Sequence, residues 1–244
     1  MHLHLPKPLH GWREFVGEIA IIVVGVLIAL GAEQLLEDYH SHRQVAEMER
    51  RLKGEIGLNM VSAYERMAIN ACLRGRIVEL RDLLAKANGQ WKGNPATFGG
   101  HYYEDSFPLV YRTPNRAWVT DEWRAASSSG VLTKEEPKLA ARFSSIYSLI
   151  DGMQAIQERE FSDTAQLGDL AFDSALTPQD RRASLRALAT INYENARMIN
   201  DAGWLLNEGG ALGISMVAKD KAEMLAIQRD FRGACVREVP LPKA

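Results

Sequence analysis

The chain has 244 residues, of which 46% are hydrophobic and 25% charged, and its formal net charge at pH 7 is −2. A chain this close to neutral lacks the basic face that nucleic-acid binding needs, so we expect no nucleic-acid partner. The length suits one membrane segment followed by a single domain of about 200 residues.

Residues 1–14 form a short leader, MHLHLPKPLHGWRE, which Pro6 and Pro8 interrupt. We expect its first ten residues to be irregular, because proline disrupts regular backbone hydrogen bonding. Trp12 lies just before an apolar segment, and tryptophan is enriched at the interface between membrane and water.

The apolar segment at residues 15–36 predicts a transmembrane helix. Its uncharged part, residues 19–32, is only 14 residues long, and extending it to Phe15 includes Glu18. A span usually needs about 20 apolar residues. However, residues 19–30 have no polar face, which a helix on the surface of a soluble domain should carry. We therefore favour a membrane span.

A cleaved signal peptide is the alternative interpretation of this segment. Lys7 and Arg13 precede it, and Ala-Leu-Gly at residues 29–31 resembles a cleavage site. Two features argue against cleavage. Glu18 lies inside the apolar region, and helix-favouring sequence continues beyond residue 31 without interruption.

Four residues of the span are predicted to lie on one stripe: Glu18, Gly25, Ala29 and Ala32. At 100° per residue they fall within a sector of about 60°. Small residues four apart let two helices approach closely in lipid, so this stripe predicts a helix–helix interface with a protein partner or a second copy of the chain. Alternatively, Glu18 extends to the headgroups and the small residues have no special role.

Residues 37–240 are predicted to form an all-α domain, a bundle of four or five helices. Residues 11–88 contain no proline and predict one continuous helix that ends at Asn88-Gly89, although Gly54, Gly57 and Gly75 permit a bend. Apolar residues beyond the membrane recur every three or four positions, as in a core-facing stripe. They are Val45, Met48, Leu52, Ile56, Met60, Ala63, Met67, Leu73, Ile77, Leu80, Leu84 and Ala87.

Residues 89–112 are irregular, rich in glycine and proline, and compatible with a short pair of strands. A long loop in a compact domain is often functional. The interpretation we favour is a lid whose aromatic side chains pack over the end of the bundle. The alternative is a surface for a ligand or partner, completed by the next helix, from His101, Tyr102, Tyr103, Tyr111, Arg112 and Trp118.

Four more helices are predicted after the irregular segment. Their start signals include Thr113-Pro114, the capping box of Thr133 with Glu136, and Thr177-Pro178. We expect the helices at about residues 113–129, 133–161, 177–206 and 217–235.

The two cysteines, Cys72 and Cys235, permit one disulfide between the long helix and the C-terminal end. In an oxidising compartment such a bond stabilises the domain by about 4 to 5 kcal/mol in the chain-entropy account. Two buried free thiols are the alternative.

Residues 18–37, EIAIIVVGVLIALGAEQLLE, are similar to the opening of a group of uncharacterised bacterial single-span membrane proteins. In that group, a glutamate followed by apolar residues and G-x-L-I-A-L leads into a polar helix. Residues 117–147 resemble its second recurring stretch, whereas residues 31–34 depart from its Gln/Asn-rich continuation. The resemblance covers about a quarter of the chain. It implies a helical protein of the bacterial inner membrane, with a cytoplasmic N-terminus and a periplasmic domain, and supplies no catalytic residues.

The basic residues alone favour the opposite orientation, because two precede the span and four follow it at positions 43, 50, 51 and 53. Large domains, however, translocate largely regardless of charge.

No catalytic constellation stands out. The serines at 127–129 lack a suitable histidine, since none follows His101. We therefore expect a non-enzymatic scaffold or interaction subunit of a bacterial membrane complex, without a metal or cofactor. One alternative is a periplasmic, sensor-like module that binds a small ligand and signals through a partner. Another is a metal-dependent enzyme built on His101, Glu104 and Asp105.

Overall fold

The computed structural model describes residues 11–96 and 109–240, without the side chains of Gly11, Arg13 and Glu14. Several predictions fall outside the described residues. They concern the irregular leader at 1–10, three residues of the predicted surface (His101, Tyr102 and Tyr103), and the proposed metal ligands (His101, Glu104 and Asp105).

The all-α prediction is confirmed. Between residues 11 and 240, outside the 97–108 gap, the helices are α1 (Gly11–Ala68), α2 (Asn70–Lys86), α3 (Asp121–Ser129), α4 (Pro137–Ala165), α5 (Pro178–Ala211) and α6 (Ala218–Arg232). Three 3-10 turns occupy Val131–Lys134, Gly168–Ala171 and Gly233–Cys235. Two short antiparallel strands, β1 (Gln90–Trp91) and β2 (Ser174–Ala175), pair Gln90 with Ala175 and Trp91 with Ser174.

The chain divides into two compact units, Met1–Met48 and Glu49–Ala244. The described part of the first unit is the N-terminal part of α1. Its apolar side chains are exposed, including Ile21 at 75% and Ile28 at 67%. Within the described chain, α1 is the one helix long and apolar enough to cross a membrane, and none of its apolar window is buried.

The predicted single helix of residues 11–88 is interrupted at Ile69, so this prediction was wrong in its second half. Ile69 donates its N–H to the carbonyl of Glu65, and its own carbonyl accepts from Cys72 and Leu73. Gly54, Gly57 and Gly75, the glycines expected to permit a bend, do not lie at this interruption. Beside the break, Arg66 donates to Glu160 of α4 and Glu65 accepts from Gln228 of α6, so the residues around the interruption make tertiary contacts that local sequence does not reveal.

In the core of the second unit, α4 packs extensively against α5. The predicted stripe of α4 is buried at Phe143, Ile146, Ile150 and Met153. On α5, the buried apolar residues include Leu188, Ile191, Met198 and Leu205. Helical periodicity therefore identified the core-facing sides of both helices.

Helix α5 begins where Thr177-Pro178 predicts, and the structure shows a capping box there. The Thr177 hydroxyl accepts from the Asp180 N–H, and the Asp180 carboxylate accepts from the Thr177 N–H. Its predicted end near Leu206 was wrong, because the helix continues through Gly209 and Gly210 to Ala211. Gly209 is buried against Met60, where a larger side chain would collide with the methionine, so close packing explains the glycine.

Two other predicted helix starts are incorrect. The residues after Thr113-Pro114 are irregular, and α3 begins only at Asp121. In this segment, Asn59 of α1 donates to the Val119 carbonyl over 2.7 Å and accepts from the Val119 N–H over 2.9 Å. These bonds satisfy backbone groups that a helix would otherwise satisfy internally. Thr133 caps no helix: it lies in a 3-10 turn and donates to the Gly130 carbonyl.

Candidate functional site

The predicted membrane interface is an open stripe on α1. Glu18, Gly25, Ala29 and Ala32 are all exposed. A Cβ built on Gly25 would meet no atom within 4 Å. The stripe can therefore accept close contact from another helix.

The structure separates the residues of the predicted ligand or partner surface. Tyr111 is fully buried, Arg112 is half-buried, and both line the same cleft. Trp118 is also buried, at 6% exposure, but it does not line that cleft. Its indole N–H has no hydrogen-bond partner among the described residues. The surface prediction thus identified two neighbouring residues and one unrelated core residue.

The cleft encloses about 350 Å³ beside the Cys72–Cys235 bond, and we call it the disulfide cleft. It lies between α2, the chain on either side of the 97–108 gap, and the C-terminal end of α6. Its lining consists of Cys72, Leu73, Arg76, Glu79, Asn94, Pro95, Ala96, Tyr111, Arg112, Phe231, Arg232 and Cys235.

Covalent and hydrogen bonds hold the cleft walls together. The disulfide joins α2 to the 3-10 turn after α6. Arg76 donates from Nε to the Val110 carbonyl over 2.7 Å and from Nη2 to the Asn94 carbonyl over 2.6 Å. Arg232 donates from Nη2 to the Arg112 carbonyl over 2.9 Å. The cleft is consequently a pre-formed part of the fold.

Among the described residues, three arginines and one glutamate line the cleft, and Nη1 of Arg76 pairs with the Glu79 carboxylate over 2.9 Å. Burial lowers the pKa of Arg232 to about 10, and this guanidinium therefore still carries a proton at neutral pH. Burial raises the pKa of Tyr111 above its ordinary value of 10.0, so its hydroxyl stays neutral.

A buried ion pair lies near the inner side of the cleft. Arg66 donates to Glu160 over 2.7 Å and to Asn195 over 3.2 Å, both from Nη2. The remaining nitrogens of Arg66, Oε2 of Glu160 and the Tyr111 hydroxyl are buried without a hydrogen-bond partner among the described residues. Unpaired buried polar atoms are uncommon and usually bind water or a ligand.

A second buried acid connects this region to α6. Glu65 accepts two bonds from the Arg116 guanidinium, at 2.7 and 2.6 Å, and one from Gln228 at 2.8 Å. Gln228 in turn accepts from Arg232. These polar residues carry no signal in the sequence that predicts their burial, because charged residues beside a helical apolar stripe normally face solvent.

The part of the chain that the structure describes contains no group of three potential metal-binding side chains from His, Cys, Asp and Glu. No family model, curated protein or solved structure matches this chain.

Proposed function

We propose that the protein is a single-pass, membrane-anchored interaction subunit of a bacterial membrane complex, without enzymatic activity of its own. The uncovered apolar stretch of α1 carries this proposal. Its side chains are exposed along the whole window, and a continuous apolar surface of this kind needs lipid or a partner to cover it. The helical domain after residue 48 then supplies the surface outside the membrane.

The proposal places the helical domain in the periplasm and the leader in the cytoplasm. The disulfide supports this orientation, because structural disulfides form and persist in oxidising compartments such as the bacterial periplasm. The uneven distribution of basic residues around the span is then overridden by translocation of a large domain.

Within the bilayer, we assign the contact with a partner helix, or with a second copy, to the stripe of Glu18, Gly25, Ala29 and Ala32. Gly25 and Ala29 are four residues apart and allow close backbone approach. Glu18 on the same stripe would be shielded by the partner helix or would reach the headgroups.

The test is purification of the full chain from membranes in mild detergent, followed by mass analysis of the intact assembly. We expect an assembly larger than one chain, which Gly25→Leu weakens by preventing close approach. Gly31→Leu is the matched control, since it adds the same side chain about 120° around the helix. A bare monomer in all three samples would overturn the interface. The intact mass also shows whether residues 1–31 have been cleaved as a signal peptide.

A second candidate function is binding of a small ligand in the disulfide cleft, with signalling through the partner subunit. The observation that favours it is a pre-formed concave site of about 350 Å³, within the range of about 300 to 1,000 Å³ typical of small-molecule sites. Saturable binding of a small molecule that shifts the NMR signals of Leu73, a cleft residue, would support it.

A further inference from the structure

We infer that an ordered water molecule is bound inside the helical bundle, where it bridges the Arg66–Glu160 ion pair to the hydroxyl of Tyr111. This inference goes beyond the proposed function, because it concerns a binding site in the interior of the domain and requires no ligand in the disulfide cleft.

Four buried polar atoms indicate this site. They are Nε and Nη1 of Arg66, Oε2 of Glu160 and the Tyr111 hydroxyl, and none has a hydrogen-bond partner among the described residues. The three residues are 1%, 0% and 0% exposed, respectively. Leaving a buried donor or acceptor unpaired destabilises a protein, so such atoms almost always have a partner. A set of four therefore indicates a bound polar molecule.

The three side chains come from separate parts of the chain and lie near one another. Arg66 on α1 donates from Nη2 to Oε1 of Glu160 on α4 over 2.7 Å. Tyr111 follows the 97–108 gap. Burial raises the pKa of Tyr111, and the nearby charges of Arg66 and Glu160 act on it as well, Arg66 lowering the pKa and Glu160 raising it. One small molecule can therefore contact all three side chains.

The polar side chains next to the ion pair already have partners of their own. Oδ1 of Asn195 accepts from Nη2 of Arg66, and its amide group donates to Asn70 over 3.0 Å. The Thr164 hydroxyl donates to the backbone carbonyl of Glu160 over 2.7 Å. The partner of the four unpaired atoms must therefore be a molecule other than these side chains.

Charge and hydrogen-bonding capacity select water as that molecule. Arg66 and Glu160 form an ion pair in which the two charges balance, so a bound ion would add an uncompensated charge to the interior. Water is neutral, both donates and accepts, and typically makes about three hydrogen bonds to buried groups that otherwise lack partners. Here it would accept from Arg66, donate to Oε2 of Glu160 and form its third bond with the Tyr111 hydroxyl.

The water would also anchor one wall of the disulfide cleft. Tyr111 lines that cleft, whereas Arg66 and Glu160 do not. Through the water, the Tyr111 hydroxyl would be joined to α1 and α4. The irregular segment after the gap would thus be fixed to the interior of the bundle by a polar contact as well as by packing.

The first test is a double-mutant cycle on the full chain in detergent at pH 7, measured by chemical denaturation. Tyr111→Phe removes the hydroxyl, and we expect it to lower the folding equilibrium constant about tenfold. Glu160→Gln replaces Oε2 with an amide nitrogen that cannot accept a hydrogen bond. Because the water links the two groups, we expect the double variant to lose at least about threefold less than the two single effects predict together.

Tyr193→Phe is the matched control, since it removes the same hydroxyl from a tyrosine of α5 that is 61% exposed. It should leave stability unchanged, alone and combined with Glu160→Gln. Two results would overturn the bridge. A neutral or stabilising Tyr111→Phe would show that the hydroxyl has no partner, and independent effects of Tyr111→Phe and Glu160→Gln would show that no molecule links them.

The second test is direct and uses the unaltered protein. Crystals of the full chain are grown with sodium chloride and, separately, with sodium bromide. We expect density for one water within hydrogen-bonding distance of Arg66, Glu160 and Tyr111, without anomalous signal from bromide. Bromide at this position would overturn the assignment of water in favour of an anion. A protein side chain in the same place would overturn the binding site itself.

Discussion

Arg66 and Glu160 form an ion pair inside the helical bundle, with Nη2 of Arg66 donating to Oε1 of Glu160 over 2.7 Å and neither side chain more than 1% exposed. The same nitrogen donates to Asn195. One buried guanidinium thereby joins α1, α4 and α5, and three helices are oriented by a polar contact rather than by apolar packing alone.

Removing one member of this pair should strongly destabilise the protein. Glu160→Ala leaves an uncompensated buried arginine, and we expect the free energy of unfolding to fall by about 3 to 5 kcal/mol. Chemical denaturation of the full chain in detergent, followed by near-UV circular dichroism, measures the loss. The control is Asp82→Ala in the exposed pair with Arg81, which should cost less than about 1 kcal/mol. Equal effects of the two substitutions would contradict this account.

The stability of the protein should depend on pH through Glu160. Burial raises the pKa of this carboxyl above its ordinary 4.5, although Arg66 opposes the shift. The folded state then binds the proton more tightly than the unfolded chain. The resulting stabilisation is fully present below pH 4.5 and is lost as the pH rises through the raised pKa.

We therefore expect the stability of the wild-type protein relative to Glu160→Gln to decrease as the pH rises from about 4 to 8. Denaturation of both proteins across this range measures the difference. An increase with pH would show instead that the attraction of Arg66 outweighs the loss of solvation.

The Cys72–Cys235 bond should contribute substantially to stability, because it closes a loop of 163 residues. The chain-entropy account gives about 5 kcal/mol. We expect the Cys72→Ser/Cys235→Ser double variant to lose stability of this order, and dithiothreitol to destabilise the wild-type protein but not the double variant. A wild-type protein that is indifferent to reduction would show that the bond adds little.

Gly93 should tolerate no side chain. A Cβ there would lie 2.6 Å from the Ala171 carbonyl oxygen and 2.9 Å from the carbonyl carbon of Phe172. Because backbone atoms cannot move aside easily, Gly93→Ala should cost about 1 to 3 kcal/mol and speed hydrogen exchange of the Gly93 N–H, which donates to Asp173.

Gly152→Ala in α4 is the control for Gly93, since its Cβ meets no atom within 4 Å. This substitution should be neutral or stabilise the helix by up to about 1 kcal/mol. Equal effects at the two glycines would show that steric contact is not the cause.

The outcomes at individual helices show what local sequence could predict. The start of α5 was predictable because Thr177-Pro178, an N-cap residue followed by a proline in the first turn, is a local signal. The end of α5 was not predictable. A pair of glycines such as Gly209 and Gly210 normally terminates a helix, but here Gly209 packs against Met60 and the helix continues. The helix start predicted at Thr113 was wrong for a related reason: Asn59, far away along the chain, forms hydrogen bonds with the backbone of Val119 in the following segment.

The residues of the disulfide cleft also differ in how far local sequence could predict them. Tyr111 and Arg112 were identified because they belong to an aromatic and basic cluster in the irregular segment. Arg76 and Arg232, which complete the cleft, lie 156 positions apart and carried no local signal.

The sequence by itself determined the apolar helix, the all-α class and the core faces of α4 and α5, because hydrophobic periodicity and length are local properties of the chain. Only the tertiary structure decided which charged residues are buried, where the first helix is interrupted, and that arginines from distant segments share one cleft beside a disulfide. These features depend on partners far away along the chain: a charge is buried where folding supplies an opposite charge, and no local pattern records that pairing.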